Sequence, residues 1–212
     1  LYLLGPVLAF LSGLFLKRFL FKGEPAPFLL ELPPYRMPTA KNIWLHVWQR
    51  VRDFLTRAGT IIAAMSVVVW FLQSFGPNFQ MVSDTAESIL ARFGSFIAPI
   101  FAPLGFGAWQ AAVALLTGLI AKEAVVSSMS LFYGFSMTDY AAAGAAMAVT
   151  FSPAAALAFL VFCALYTPCV AAIATIRREM GSRRWTVLTL AWQLAVAYLA
   201  SFVAYHLALL VL

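Results

Sequence analysis

Charge is scarce in this sequence: Asp, Glu, Lys and Arg make up 10% of its 212 residues, while 63% are hydrophobic. That balance excludes an ordinary soluble domain, in which about 25% of residues are charged. Alternating ten-residue apolar and polar stretches are also missing, which excludes a transmembrane barrel. Cysteine occurs only as Cys163 and Cys169, both inside one apolar run, and that gives no disulfide framework. There is no Gly-rich phosphate loop, no His-Glu-x-x-His pair and no nucleophile beside a base, so nothing supports an enzyme. What is present is a series of runs near or beyond the roughly 20 apolar residues that cross a bilayer as a helix. The expectation is an all-α polytopic membrane protein.

The formal net charge is +6, and its placement argues against a nucleic-acid partner. Twelve of the fourteen Lys and Arg fall in residues 17–57 and 177–184, each stretch beside an apolar segment. Basic residues so placed mark cytoplasmic loops. The chain opens at Leu1 inside an apolar run, without the charged start or cleavage site of a signal peptide. We read it as a fragment of a larger protein.

Residues 1–16 read as a helix that Lys17, Arg18 and Lys22 close at the cytoplasmic face. In segment 17–57 a proline-rich strap, Glu24 to Pro38, is held extended by its prolines. A helix capped by Thr39 follows, with Ile43, Trp44, Val47, Trp48, Val51, Phe54 and Leu55 on one stripe and Lys41, Arg50, Arg52 and Arg57 mostly off it. Such a helix belongs in the membrane interface, and His46 within it reads as a hydrogen-bonding residue. Residues 58–75 form the next span, edged by Trp70. Segment 76–107 lies outside: Asp84 and Glu87 have capping-box spacing, and Ile89, Leu90, Phe93, Phe96 and Ile97 make a second interfacial stripe.

Two apolar blocks remain, 108–134 and 140–176, before the arginines of the second basic loop and the final helix, 185–212. If each block crossed once, those arginines would emerge outside, so one block must not cross simply. Block 108–134 is the candidate, because Gly118 and Lys122-Glu123 sit at its middle, where one charge costs about 2.5–3.5 kcal/mol. A broken or re-entrant helix pair accommodates them. In block 140–176, Gly144 and Ala148 have the spacing for close helix packing, and Ser152-Pro153 begins the spanning portion. The count is about four spanning helices, a re-entrant or broken pair and two interfacial helices.

Glu123, Ser127 and Ser130 stand at i, i+4 and i+7 and share one helix face, with Lys122 about 100° away. They suit either a substrate or ion site, in which Lys122 and Glu123 pair or exchange partners, or a structural ion pair pinning a broken helix. Pro168 has no amide hydrogen for the Ala164 carbonyl and opens the helix at Cys169. A thiolate beside freed carbonyls suits a first-row metal, whereas a buried inert cysteine is the plain alternative. Cys163, about 240° round the helix, reads as packing, as do Met65, Met129 and Met147.

Four stretches carry a family resemblance: Glu31-Leu-Pro-Pro-Tyr-Arg-Met-Pro38, Arg57-Ala-Gly-Thr60, Thr117-Gly-Leu-Ile-Ala-Lys-Glu-Ala-Val-Val-Ser127 and Tyr166-Thr-Pro-Cys-Val-Ala-Ala-Ile-Ala-Thr-Ile-Arg-Arg-Glu179. In order, across nearly the whole chain, they resemble the C-terminal half of the membrane domain of the ferrous iron transport protein B (FeoB) family. The resemblance implies a bacterial inner-membrane Fe2+ transporter, with this chain holding the second of two gate-type repeats. GTP and Mg2+ would act only through an N-terminal GTPase domain that these residues lack, as they lack the first repeat. It also implies Cys169 as an iron-pathway residue and Lys122 and Glu123 as gate-motif positions; Cys169 and Glu123 are the candidate metal ligands, and Ser127, Ser130 and Pro168, singled out by spacing and the expected kink, complete the candidate ion pathway. Small accessory Feo proteins and a homo-oligomer are further expected partners. A gate-type transporter of another solute, such as a nucleoside, and a non-transporting membrane scaffold for a cytoplasmic GTPase are the competing expectations.

Overall fold

A computed structural model describes residues 3–20, 37–82, 84–120, 122–136, 138–166 and 169–211, with backbone alone at 53, 54, 57, 58, 61, 62 and 140. Most of the expected strap, and Pro168 with its expected kink, lie outside the described residues. Among those residues all regular structure is helical. The chain divides into two units, Leu1–Thr56 and Arg57–Leu212.

The first unit holds α1, Leu4–Phe19, whose last turn carries Lys17 and Arg18 against its negative end. It also holds the start of α2, Ala40–Ser74. Thr39 opens α2, accepting the Asn42 amide on Oγ1 at 3.4 Å and the Ile43 amide on its carbonyl at 3.1 Å. Trp44 and Trp48, one turn apart, stack at 6.2 Å. The expected interfacial helix and the 58–75 span both fall within the 35 residues of α2. Gly59, just past their join, is the one glycine there, and a single glycine costs about 1 kcal/mol, too little to stop a helix.

In the second unit, α2 gives way to a tight loop closed by an antiparallel bridge between Phe75 and Met81, with Phe79 in the left-handed region at φ 57°. Asp84 then accepts the Ala86 amide at 2.9 Å and caps only the short 3-10 turn Thr85–Glu87. Helix α3, Ile89–Phe101, has its own cap in Ser88, fully buried, whose Oγ accepts the Ala91 amide at 3.1 Å. Of the expected interfacial stripe only Leu90 joins the packed face, while Phe93 and Phe96 point away from it. Leu90, Ala91, Gly94 and Ala98 are buried, whereas Phe96 is 82% exposed. Those small residues let α3 lie close on α4, Trp109–Gly118. A Cβ at Gly94 would meet the Trp109 carbonyl at 3.0 Å and Val113 closer still. Between apolar helices in a membrane, closeness of backbones decides the interface more than hydrophobicity does.

Segment Ile89–Leu104 and α4 turn on each other by 102°, through Gly105 at φ 82°. Helix α5 is Glu123–Tyr133, α6 is Tyr140–Ala148 and α7 is Pro153–Leu165, the last capped by Ser152, which accepts the Ala155 amide at 3.2 Å. Ala141–Ala148 and α7 form a second bent pair, at 110°. Helices α8, Val170–Met180, and α9, Arg183–Val211, complete the chain. Among the described residues only α9 is long and apolar enough to cross a membrane by itself, and each bent pair passes the same test jointly. Block 140–176 is thus α6, α7 and most of α8. Among the described residues, nothing lies within 4 Å of a Cβ built on Gly144. Close packing occurs between α7 and α9, where Ala197, Ser201 and Ala208 are buried and Ser201 Oγ donates to the Ala158 carbonyl at 2.6 Å.

Candidate functional site

Two helix interruptions meet in the second unit. The first separates α4 from α5: after Gly118 the amides of Leu119 and Ile120 fold back onto Leu116 and Thr117 at 3.2 and 3.0 Å, and the helix restarts at Glu123. The second separates α7 from α8: Tyr166 closes α7 by donating its amide to Phe162 at 2.8 Å, and Cys169 is the N-cap residue of α8. Each break frees backbone groups that must find partners, and here they find one another. The Val170 amide donates to the Leu119 carbonyl at 2.8 Å. Tyr166 Oη donates to the Leu115 carbonyl at 3.3 Å. Lys122 Nζ donates to the carbonyls of Cys163 at 3.2 Å and Ala164 at 3.5 Å, and lies 5.3 Å from the Tyr166 ring centroid. Gly118 makes room for this, since a Cβ there would collide with Tyr166 Oη and Val125.

The residues singled out by spacing fall into different places. Lys122 does not pair with Glu123; its ammonium serves the end of α7. The physical reason is that orphaned carbonyls at a helix C-terminus attract a cation as strongly as a neighbouring carboxylate that water can reach. Glu123 is exposed at the first position of α5, where a negative charge suits the helix dipole. Ser127 is exposed and its Oγ returns to the Glu123 carbonyl at 3.4 Å. Ser130 is half-buried, and its carbonyl takes the amides of Gly134 and Phe135 where α5 ends. The side chain that joins α5 to α4 is Ser128, whose Oγ lies 2.8 Å from Thr117 Oγ1. Cys169 and Cys163 are free thiols, both half-buried. The carbonyl of Cys163 takes part in the junction by accepting from Lys122.

Among the described residues no three His, Cys, Asp or Glu side chains gather as a metal cluster. Spacing gave no hint of Leu115, Leu119, Cys163 and Ala164 as acceptors, because a carbonyl has no side-chain signature. Tyr166 and Gly118 had one, each flanking a break.

The family model described as nucleoside recognition, Gate, matches residues 55–183, and so contains both breaks. The model described as ferrous iron transport protein B C terminus matches residues 1–50. The chain is 41% identical over 208 residues to a protein named Fe(2+) transporter FeoB from Staphylococcus aureus (strain COL), covering 97% of this chain and 30% of that protein. It is 36% identical over 210 residues to the Fe(2+) transporter FeoB of Methanocaldococcus jannaschii, covering 96% of this chain and 31% of the relative. It is 32% identical over 256 residues to a Porphyromonas gingivalis protein named as a fusion of Fe(2+) transport protein A and Fe(2+) transporter FeoB, covering 99% and 30%. The chain thus spans about 30% of the length of these relatives. No solved structure matches.

Proposed function

The chain belongs to the FeoB family, including its Gate segment, and from that membership we propose that it is the membrane part of a ferrous iron transporter, with Fe2+ as substrate. The observation that carries this is the junction of two broken helices, where Cys169 stands at the N-cap position of α8 beside backbone groups committed across the break. Broken helices that meet are where transporters place an ion, since unwound carbonyls and helix ends supply the ligands. On this reading the protein is multi-pass in the bacterial inner membrane, with about four spanning helices. GTP and Mg2+ act in a GTPase domain outside these residues. The fused relative supports a small accessory Feo protein as partner.

Fe2+ uptake by the intact protein in proteoliposomes, with and without GTP and with a nucleoside as control, tests the proposal. GTP-dependent Fe2+ uptake supports it; nucleoside uptake without Fe2+ uptake sinks it. Cys169→Ser is expected to lower Fe2+ uptake about tenfold, the usual scale for disturbing a metal site, with the same amount of folded protein. Uptake at the wild-type rate would remove Cys169 from the ion path. Glu123→Gln is expected to slow uptake about fivefold, the weight of roughly 1 kcal/mol at a helix N-terminus. Should that variant instead lose folded protein, the carboxylate is structural.

A further inference from the structure

The end of α7 holds carbonyl oxygens in need of a donor, and the protein answers with a cation of its own. Carbonyls of the last turn carry the partial negative charge of the helix terminus. The Ala164 carbonyl is the one a regular helix would return to residue 168, a proline without an N–H. Lys122 Nζ sits 3.2 Å from the Cys163 oxygen and 3.5 Å from the Ala164 oxygen, with the Tyr166 ring centroid at 5.3 Å. Carbonyl oxygens and an aromatic face are parts from which proteins build cation sites. The ring is held firmly: it stacks on Phe162 at 5.6 Å, anchors its hydroxyl on Leu115 and is 5% exposed.

We propose that these groups form a cation seat, filled here by the Lys122 ammonium as a tethered stand-in, and that the transported ion competes with the lysine for it. The proposal rests on the transport reading for the identity of the competitor, and on geometry alone for the seat. The side chain of Lys122 is exposed, and the seat is two carbonyl oxygens at the surface; two like charges do not both settle on the same pair of oxygens, so arrival of the ion releases the ammonium and its return expels the ion. The four-carbon stem of lysine permits that exchange without moving either helix. Lys122 belongs to the first break and the seat to the second, so its release unties one link across the junction. The Val170 to Leu119 and Tyr166 to Leu115 bonds remain.

The test uses the intact transporter in two arms. In wild-type protein, the rate at which an amine-reactive reagent modifies Lys122, read by mass spectrometry, is expected to rise about tenfold when Fe2+ is added, the ratio set by freeing a charged hydrogen-bonded donor. An unchanged rate overturns the competition. In Lys122→Ala, propylammonium is expected to refill the vacated seat and raise the melting midpoint by about 3 °C, with no effect on wild type. Equal response of both proteins overturns the seat. If Lys122→Ala does not fold, Lys122→Gln replaces it, and the wild-type labelling decides without either variant. Fe2+ uptake with no change in Lys122 labelling rejects the inference and leaves the transport reading standing. Propylammonium rescue without Fe2+ uptake keeps the seat and rejects the transport reading.

Discussion

Leucine at Gly118 is expected to lower Fe2+ uptake by more than tenfold while leaving the helices formed. Gly118 ends α4 with no side chain, and a Cβ there meets Tyr166 Oη and Val125. Neither neighbour is a flexible tip. The Tyr166 ring is stacked on Phe162 and bonded to Leu115, and Val125 is 7% exposed on α5. An added methyl group would therefore push α5 and the end of α7 apart, and a leucine further. Overpacking of this kind costs about 1–3 kcal/mol, and its first casualties are the cross-break bonds. Uptake by the intact protein is expected to fall by more than tenfold, roughly what 1.4 kcal/mol at the junction implies, with helical circular dichroism unchanged. Gly144→Leu is the control, since a Cβ at Gly144 meets nothing within 4 Å, and it is expected to transport normally. If Gly118→Leu matches the control, the junction is not the transport site.

Where the helices break was legible, because the cause lies in residue chemistry. Lys122 and Glu123 inside an apolar block cannot sit in an unbroken lipid-facing helix, and Ser152-Pro153 is a helix start wherever it occurs. What the breaks do with their freed groups was not legible. Lys122 was open to pairing with its neighbour Glu123, yet its partners are carbonyls more than 40 residues away. The packed face of α3 was not legible, for a different reason. Its large apolar residues form a regular stripe, but in a chain that is apolar nearly everywhere, hydrophobicity no longer separates inside from outside. Size does: Ala91, Gly94 and Ala98 are buried on α3, as Ala197, Ser201 and Ala208 are on α9. A search for small residues at helical spacing finds these faces, and it also finds Gly144, whose Cβ position meets nothing within 4 Å among the described residues. Spacing proposes an interface, and the neighbouring helix decides it.

Phe106→Ala is expected to cause the largest loss of stability. Phe106 is 2% exposed, directly after the left-handed Gly105 at the bend into α4. Its ring lies 5.5 Å from Phe101, 5.3 Å from Phe159 and 6.0 Å from Phe162, so it ties the bend to α7. Phe162 in turn stacks on Tyr166 at the second break. Truncation of a buried phenylalanine costs about 3–5 kcal/mol, and in a membrane that cost is lost dispersion contact, which lipid outside the core does not restore. The melting midpoint is expected to fall by about 10 °C for a chain of this size. Phe106→Leu keeps most of the volume and is expected to cost less than about 1.5 kcal/mol. If the two variants melt together, the aromatic cluster is not what holds the bend. Uptake measured below the midpoint of Phe106→Ala then separates two roles for the cluster. A fall in the folded variant means that the chain of rings from Phe106 through Phe162 to Tyr166 sets the geometry of the junction, and unchanged uptake confines Phe106 to fastening the bend.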